Sequence, residues 1–347
     1  DTSDTGTEAD TADTSDTGEK TSAQVIHQFS GYELEAGEES TPCVQWTLNN
    51  DEPIYVNSVT LANNGGFHHS NWFVTPENYA AGKDGYFECG DRGFHEVTAA
   101  LQGTVLFAQS TQAQKEVQKF PEGITIKIPP NSKVIGSLHF LNIAAHKRNA
   151  TSRMTLGLTH PKLVDTVVVP FRLSYYPLEI PPKSESRFSS ECNFAQPYKD
   201  KSGKELDMEL YYVLPHYHGL GNYFDLEIFG GPRDGEQLFE LKGFNAEANG
   251  QTFDPPIDLT GAKGLRFTCG YDNPRDEEVG WGIGTQEMCV MLGFADSEVM
   301  FDAAVGNENN VDGTRDGIVY NSGSCSVQPL PIGDDAGMPT EKETSKA

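Results

Sequence analysis

The chain has 347 residues, with 51 acidic side chains against 25 basic ones, a net charge of −26 and six cysteines. A basic footprint for phosphate is missing, so nucleic acid is not an expected partner. No run of about 18 apolar residues is long enough to cross a bilayer as a helix.

The first twenty residues carry seven acids and one lysine and almost no large apolar side chain. Such a segment buries too little surface to offset its ordering entropy, so residues 1–23 are expected to be a disordered acidic tether. The chain begins at Asp1 without a recognisable signal peptide, which fits a processed, exported product. Short β-rich runs follow in close succession, bounded by Gly, Pro or Asn. They include "EPIYVNSVTLAN", "GTVLFAQS", "GITIKIPP", "KVIGSLHFLN" and "RMTLGLTH", then "TVVVPFRLSYYPLEIPP" and "ELDMELYYVLPHYHGLG". "YFDLEIFGG", "EQLFELKGF", "KGLRFTCGYDN" and "EMCVMLGFA" complete the series. Long helical periodicity is absent, and "TQAQKEVQKF" is the best short helix candidate. With 35 glycines and 20 prolines, the pattern predicts an all-β chain of two tandem antiparallel jelly-roll sandwiches. The polar stretch "AAHKRNATS", residues 144–152, is the expected boundary, giving domains over 24–148 and 149–333. Residues 334–347 are expected to be a second disordered tail.

The cysteines are Cys43, Cys89, Cys192, Cys269, Cys289 and Cys325, with no CxxC pair among them. Zinc ribbons are therefore not expected, and three disulfides in an oxidising compartment are. Fifteen pairings are possible, and spacing alone does not choose.

Among nine histidines, two groups stand out: His68-His69 in "GGFHHSNWF" and His216-x-His218 in "LPHYHGLG". Residues i and i+2 of a strand share a face, so His216 and His218 project side by side. His68 and His69 can share a metal only at a strand end, bulge or bend, which Gly65 and Gly66 permit. His139 lies on the apolar strand "GSLHFLN", where an unpaired imidazole is costly. Met288 precedes Cys289, and a thioether is a soft ligand that favours Cu(I). Taken singly, each of these has an ordinary structural explanation.

In this order (HH, a strand histidine, HxH, then "EMC") the residues resemble the ligand series of the ascorbate-dependent type II copper monooxygenases. That family includes peptidylglycine α-hydroxylating monooxygenase and dopamine β-monooxygenase. His69 to His139 and His218 to Met288 are each 70 residues apart (139 − 69 and 288 − 218). "CGYDNPRDEEVGWGIGTQEMC" also resembles the segment before the family's methionine ligand. The resemblance covers roughly residues 35–330 and suggests an exported, bacterial member, with lipoprotein attachment as the expectation.

It implies two coppers, one per jelly roll, across a solvent-filled cleft. His68, His69 and His139 would hold an electron-storing copper, and His216, His218 and Met288 an O2-activating one. It also implies disulfides Cys43–Cys89, Cys192–Cys325 and Cys269–Cys289. The expected activity is hydroxylation of a substrate C–H with O2 and two electrons from ascorbate or another reductant. The expected partner is a small-molecule or peptide-like substrate, with membrane attachment only through the tether and no oligomer. The chain departs from peptide-amidating members: Leu214 stands where they have a carboxylate-binding arginine, and Val290, Met291 and Leu292 replace Asn-x-Tyr. A carboxylate against Leu214, Val290 and Leu292 would be desolvated without a partner, so peptidylglycine is not an expected substrate. The alternatives are an exported copper-binding protein without turnover, and a structural surface domain with incidental histidines.

Overall fold

The computed structural model describes residues 23–109, 112–243 and 250–332, together with 337, 343 and 344. The tether at 1–22 and most of the 334–347 tail lie outside the described residues. Glu343 of that tail accepts a hydrogen bond from Tyr55 Oη and pairs with Lys127 Nζ at 3.3 Å.

The chain is all β, of jelly-roll type. Its first sheet has the order Gln24–Leu34, Arg148–Thr159, Ile54–Asn63, Ile124–Ile128, Thr166–Val167, with Lys115–Lys119 paired beside Ile54–Asn63. The second runs Gly85–Phe87, Cys43–Thr47, Ser132–Leu141, Phe67–Pro76, Thr104–Gln109, with Glu39–Ser40 added to Ser132–Leu141. These two sheets share a core in which Val59, Leu61, Met154 and Leu156 meet Trp72, Leu106, Val134 and Phe140. The third sheet, Gln251–Asp258, Met208–His216, Val290–Ser297, Val169–Tyr175, Met300–Val305, Cys325–Leu330, faces a fourth. The fourth is ordered Gln237–Lys242, Gly221–Phe229, Gly264–Asn273, Ser184–Asn193, Ile318–Ser322, Asn310–Arg315. Phe171, Leu210 and Met291 of the third pack on Phe188, Phe224 and Phe267 of the fourth.

Two expectations fail. The chain leaves the first pair of sheets near Val168, not at 148/149. "RNATSRMTLGLT" is the strand Arg148–Thr159, because Ala150, Ser152, Met154 and Leu156 alternate inward below its polar face. "TQAQKEVQKF" is no helix. Lys115–Lys119 is a strand in which Glu116 and Gln118 point in and Val117 points out. Gln118 Nε2 donates to Leu106 O at 3.0 Å, so the inward face is polar and the apolar pattern misleads. The helices are instead Glu96–Gln102 and Ala195–Ser202.

A separate apolar cluster joins the two halves. Phe120, Ile124 and Ile126 of the first meet Tyr212, Leu214 and Phe294 of the second, with Val168 between them. Phe120 sits edge-on to Phe294 at 5.4 Å between ring centroids. Such a pair contributes about 0.5–1.5 kcal/mol beyond area burial. All three implied disulfides are present: Cys43–Cys89, Cys192–Cys325 and Cys269–Cys289. None crosses from one half to the other, and three disulfides suit an oxidising environment outside the cytosol.

Candidate metal centre

His139 lies directly opposite His69 on antiparallel strands, so both rings stand on one sheet face. Along the same ladder Leu138 faces Ser70, but Phe140 faces Phe67. His68 is therefore the extra residue of a β-bulge, and the bulge breaks the rule that neighbours point to opposite faces. Gly65 and Gly66, both in the left-handed region at φ 95° and 88°, turn the chain into it. The outcome is three imidazoles with ring centroids 4.8 to 5.4 Å apart. His139 Nδ1 lies 3.0 Å from His69 Nε2. On its far side, His139 Nε2 donates to Glu39 Oε1 at 2.7 Å. Gln112 Nε2 lies 2.9 Å from His68 Nδ1.

The second group is built differently from the expectation of two rings on one regular strand. The strand Met208–His216 ends at His216, which pairs with Val290, and His218 lies in the turn beyond. Alternation continues through that turn. Tyr217 points into the core of the second half and donates to Gly243 O at 2.8 Å. His216 and His218 consequently project the other way, with ring centroids 5.1 Å apart. The turn is held by Glu287: His218 N donates to Oε2 at 2.7 Å and Leu220 N to Oε1 at 2.8 Å. Burial pushes the Glu287 carboxyl up to about 7, against the opposing pull of these amides and that of Met288. His218 Nδ1 donates to Gln286 O at 2.8 Å, which turns Nε2 towards the cluster. Tyr271 Oη donates to Met288 O at 2.6 Å, and Cys269–Cys289 clips the adjacent residue.

The two histidine groups do not stand apart across a cleft. They meet: His69 and His216 rings are 5.0 Å apart, and His68 and His218 rings 5.2 Å. The apolar cluster around Phe120 and Leu214 holds the halves against each other. One ligand nitrogen each from His69, His216 and His218 lies within 4.8 Å of the others, a grouping that cuts across the two implied sets.

These residues fit a bound transition metal. The buried Nε2 atoms of His68 and His218 have no hydrogen-bond partner among the described residues, a costly arrangement unless a ligand completes it. Burial, reinforced by His218 and His139, pushes His68 down to about 4. Burial, with His216 and His139, holds His69 well below the usual histidine range. Neutral imidazoles with free lone pairs are the form a metal requires, and nitrogen-rich sets suit copper and zinc. Two of the other histidines have structural roles: His27 stacks on Trp46 at 4.5 Å, and His160 Nδ1 accepts from Lys162 N.

No family model matches the sequence, and no curated protein matches it. Among solved structures, the chain is similar to the major capsid protein P2 of bacteriophage PM2, at 8% identity and TM-score 0.34, covering 79% of this chain and 98% of that one. It is also similar to PNGase F, a glycosylasparaginase from Flavobacterium meningosepticum, at 9% identity and TM-score 0.35, covering 80% and 97%. A triple jelly-roll protein of an archaeal virus follows at TM-score 0.21. Likenesses this distant carry no argument about chemistry, which must come from the site.

Beside the histidines lies a cavity of about 360 Å³ between the two halves. His69, His216 and Met288 form part of its wall. Leu214, Val290 and Leu292, expected as the substrate pocket, all line it. Leu214 pairs with Leu292 and His216 with Val290 across adjacent strands, so the four side chains share one face. Sequence reasoning missed Glu39 and Gln112, which orient His139 and His68 from distant segments. It also missed the cavity's polar pairs, Arg172–Asp302 and Asn71–Glu96. Only Glu287, inside "EMC", was adjacent to a signal.

Proposed function

We propose that the histidine cluster and Met288 hold copper, and that the chain is an exported copper monooxygenase. The observation that carries this reading is the convergence of His68, His69, His139, His216 and His218 beside a cavity that Met288 also lines. The net reaction joins R–H, O2, two electrons and two protons into R–OH and water. The electrons come from an external one-electron reductant such as ascorbate. Copper, when bound, supplies the redox chemistry that activates O2.

The residues supply the rest. His68, His69 and His139 form the all-nitrogen set, with His139 held in one tautomer by Glu39. His216, His218 and Met288 form the set with a soft ligand, fixed by Glu287 and the adjoining disulfide. Leu214, Val290 and Leu292 keep the space beside them dry, which strengthens polar interactions there and limits side reactions. We place the protein as a monomer in the periplasm, at the cell surface or outside the cell, with the acidic segment as its tether.

A second reading is copper binding without turnover. The mixing of the two sets in one cluster favours it, because five imidazoles in contact suit sequestration. Elemental analysis of zinc-free, reconstituted protein should find two coppers per chain, one of them lost in His139→Ala. One copper per chain, or zinc alone, refutes the two-site assignment. Oxygen uptake with ascorbate against a substrate panel separates the readings: uptake stoichiometric with product identifies the oxygenase, and its absence across the panel favours storage.

A further inference from the structure

The wall of the cavity between the halves is apolar on nearly every side. Phe73, Val105 and Ala108 come from the first half, and Leu292, Met300 and Phe301 from the second. At about 30 Å³ for each small group, the size of a water molecule's share of liquid, 360 Å³ admits roughly a dozen non-hydrogen atoms. That is within the range of small-molecule sites.

The wall holds one guanidinium against two carboxylates, and each of the three already has a partner. The one guanidinium, Arg172, faces Asp302 in a fork: Nε donates to Oδ1 and Nη2 to Oδ2, each at 2.9 Å. Paired in this way, it is a poor receptor for an incoming carboxylate. Glu96 acts on the same guanidinium electrostatically. Glu96 also accepts from Asn71 Nδ2 at 3.2 and 3.3 Å, and it occupies the first turn of the helix Glu96–Gln102, where a negative charge is stabilised. An anion entering this space would be desolvated facing Leu214 and Val290. A cation would have to compete with Arg172 and Asn71 for acids they already hold. A neutral molecule meets neither cost.

We infer that this cavity binds a neutral, predominantly apolar small molecule of about a dozen non-hydrogen atoms, seated between the two halves against His69, His216 and Met288. The inference rests on the function proposed above only in taking this molecule for the substrate; the binding itself does not require metal.

The test uses the metal-free full chain and three probes of one skeleton: 4-phenylcyclohexanol, the corresponding carboxylate and the corresponding amine. Calorimetry should show the alcohol binding at least 100-fold more tightly than either charged analogue. Ala100→Trp, which fills the cavity from the rim helix, should weaken the alcohol at least tenfold. Asp302→Asn should free Arg172, raising affinity for the carboxylate at least tenfold and leaving the alcohol within threefold. Thermal unfolding checks that both variants are folded. Equal binding of the carboxylate or amine, no binding of the alcohol at millimolar concentration, or no gain of carboxylate affinity in Asp302→Asn overturns the inference. Copper content is measured separately. Alcohol binding by a chain that takes up no copper keeps the cavity and removes the oxygenase reading; two coppers with no alcohol binding does the reverse.

Discussion

Removing the Glu39 carboxylate should weaken metal binding without unfolding the protein. Glu39 Oε1 accepts from His139 Nε2 at 2.7 Å, and this proton fixes the tautomer in which Nδ1 is bare and faces His69. His139 is 3% exposed, whereas the Glu39 side chain is 38% exposed. Loss of such an outer partner typically costs 10–100-fold in metal affinity, about 1.4–2.7 kcal/mol. Glu39→Ala leaves the buried His139 Nε2–H without its acceptor, so it should lower stability by about 1–3 kcal/mol, less than the whole of a typical domain's stability. Glu39→Gln keeps an acceptor but removes the charge, and should fall between wild type and Glu39→Ala. Competition of Cu(I) against a chromophoric chelator measures affinity, and thermal unfolding monitors the fold. If the Glu39→Ala protein binds every copper equivalent within twofold of wild-type affinity, Glu39 does not position His139 for a metal.

Met288→His should preserve folding and copper content but sharply reduce hydroxylation; X-ray absorption of the Cu(I) form should show one sulfur scatterer in wild type and none in the variant. A wild-type spectrum without sulfur would make Met288 a simple wall residue. Cys192–Cys325 spans 133 residues and Cys269–Cys289 spans 20, so chain-entropy estimates give losses of about 5 and about 3 kcal/mol on removing each pair by Ser substitution. Denaturant midpoints in the reverse order would contradict that account. Burial, aided by Glu227 and opposed by Gln237, pushes Asp225 up to about 6. The folded state then holds a proton that the unfolded chain releases near pH 4, so this stabilisation is full below about 4 and lost as pH rises through 6. Asp225→Asn should therefore exceed wild type in stability above pH 6, by on the order of 1 kcal/mol; parallel Tm profiles from pH 4 to 8 would refute the assignment.

The fold class was legible because period-two alternation, Gly and Pro recur along the whole chain. Where a strand buries polar groups, as at Glu116 and Gln118, the alternation inverts and the sequence misleads. The crossing between halves was misplaced for a related reason: "KRNATS" is polar by composition, yet Ala150 and Ser152 face inward. The histidine pairs were visible as local patterns, and Gly65-Gly66 correctly marked a bend beside His68. Their convergence was not visible, since it depends on how Phe120, Leu214 and Phe294 close the halves together. Glu39 and Gln112 reach the histidines from 100 and 44 residues away, beyond any local motif.

The disulfides also determine how the molecule would answer a pull along its length. Each closes a loop within one half, and Cys269–Cys289 is nested inside the loop of Cys192–Cys325. Tension applied between Gln24 and Leu330 therefore passes from one half to the other through the backbone near Val168. No disulfide bridges the pairing of the edge strand Gln24–Leu34, the apolar contact around Phe120 or the histidine cluster, so these are the connections it can part. The outer loops, of 46 and 133 residues, stay clipped; at about 3.4 Å per residue they withhold about 600 Å of contour from extension. For a chain held by one end at a surface, drag could part the halves or peel the edge strand Gln24–Leu34 while both clipped loops stay closed.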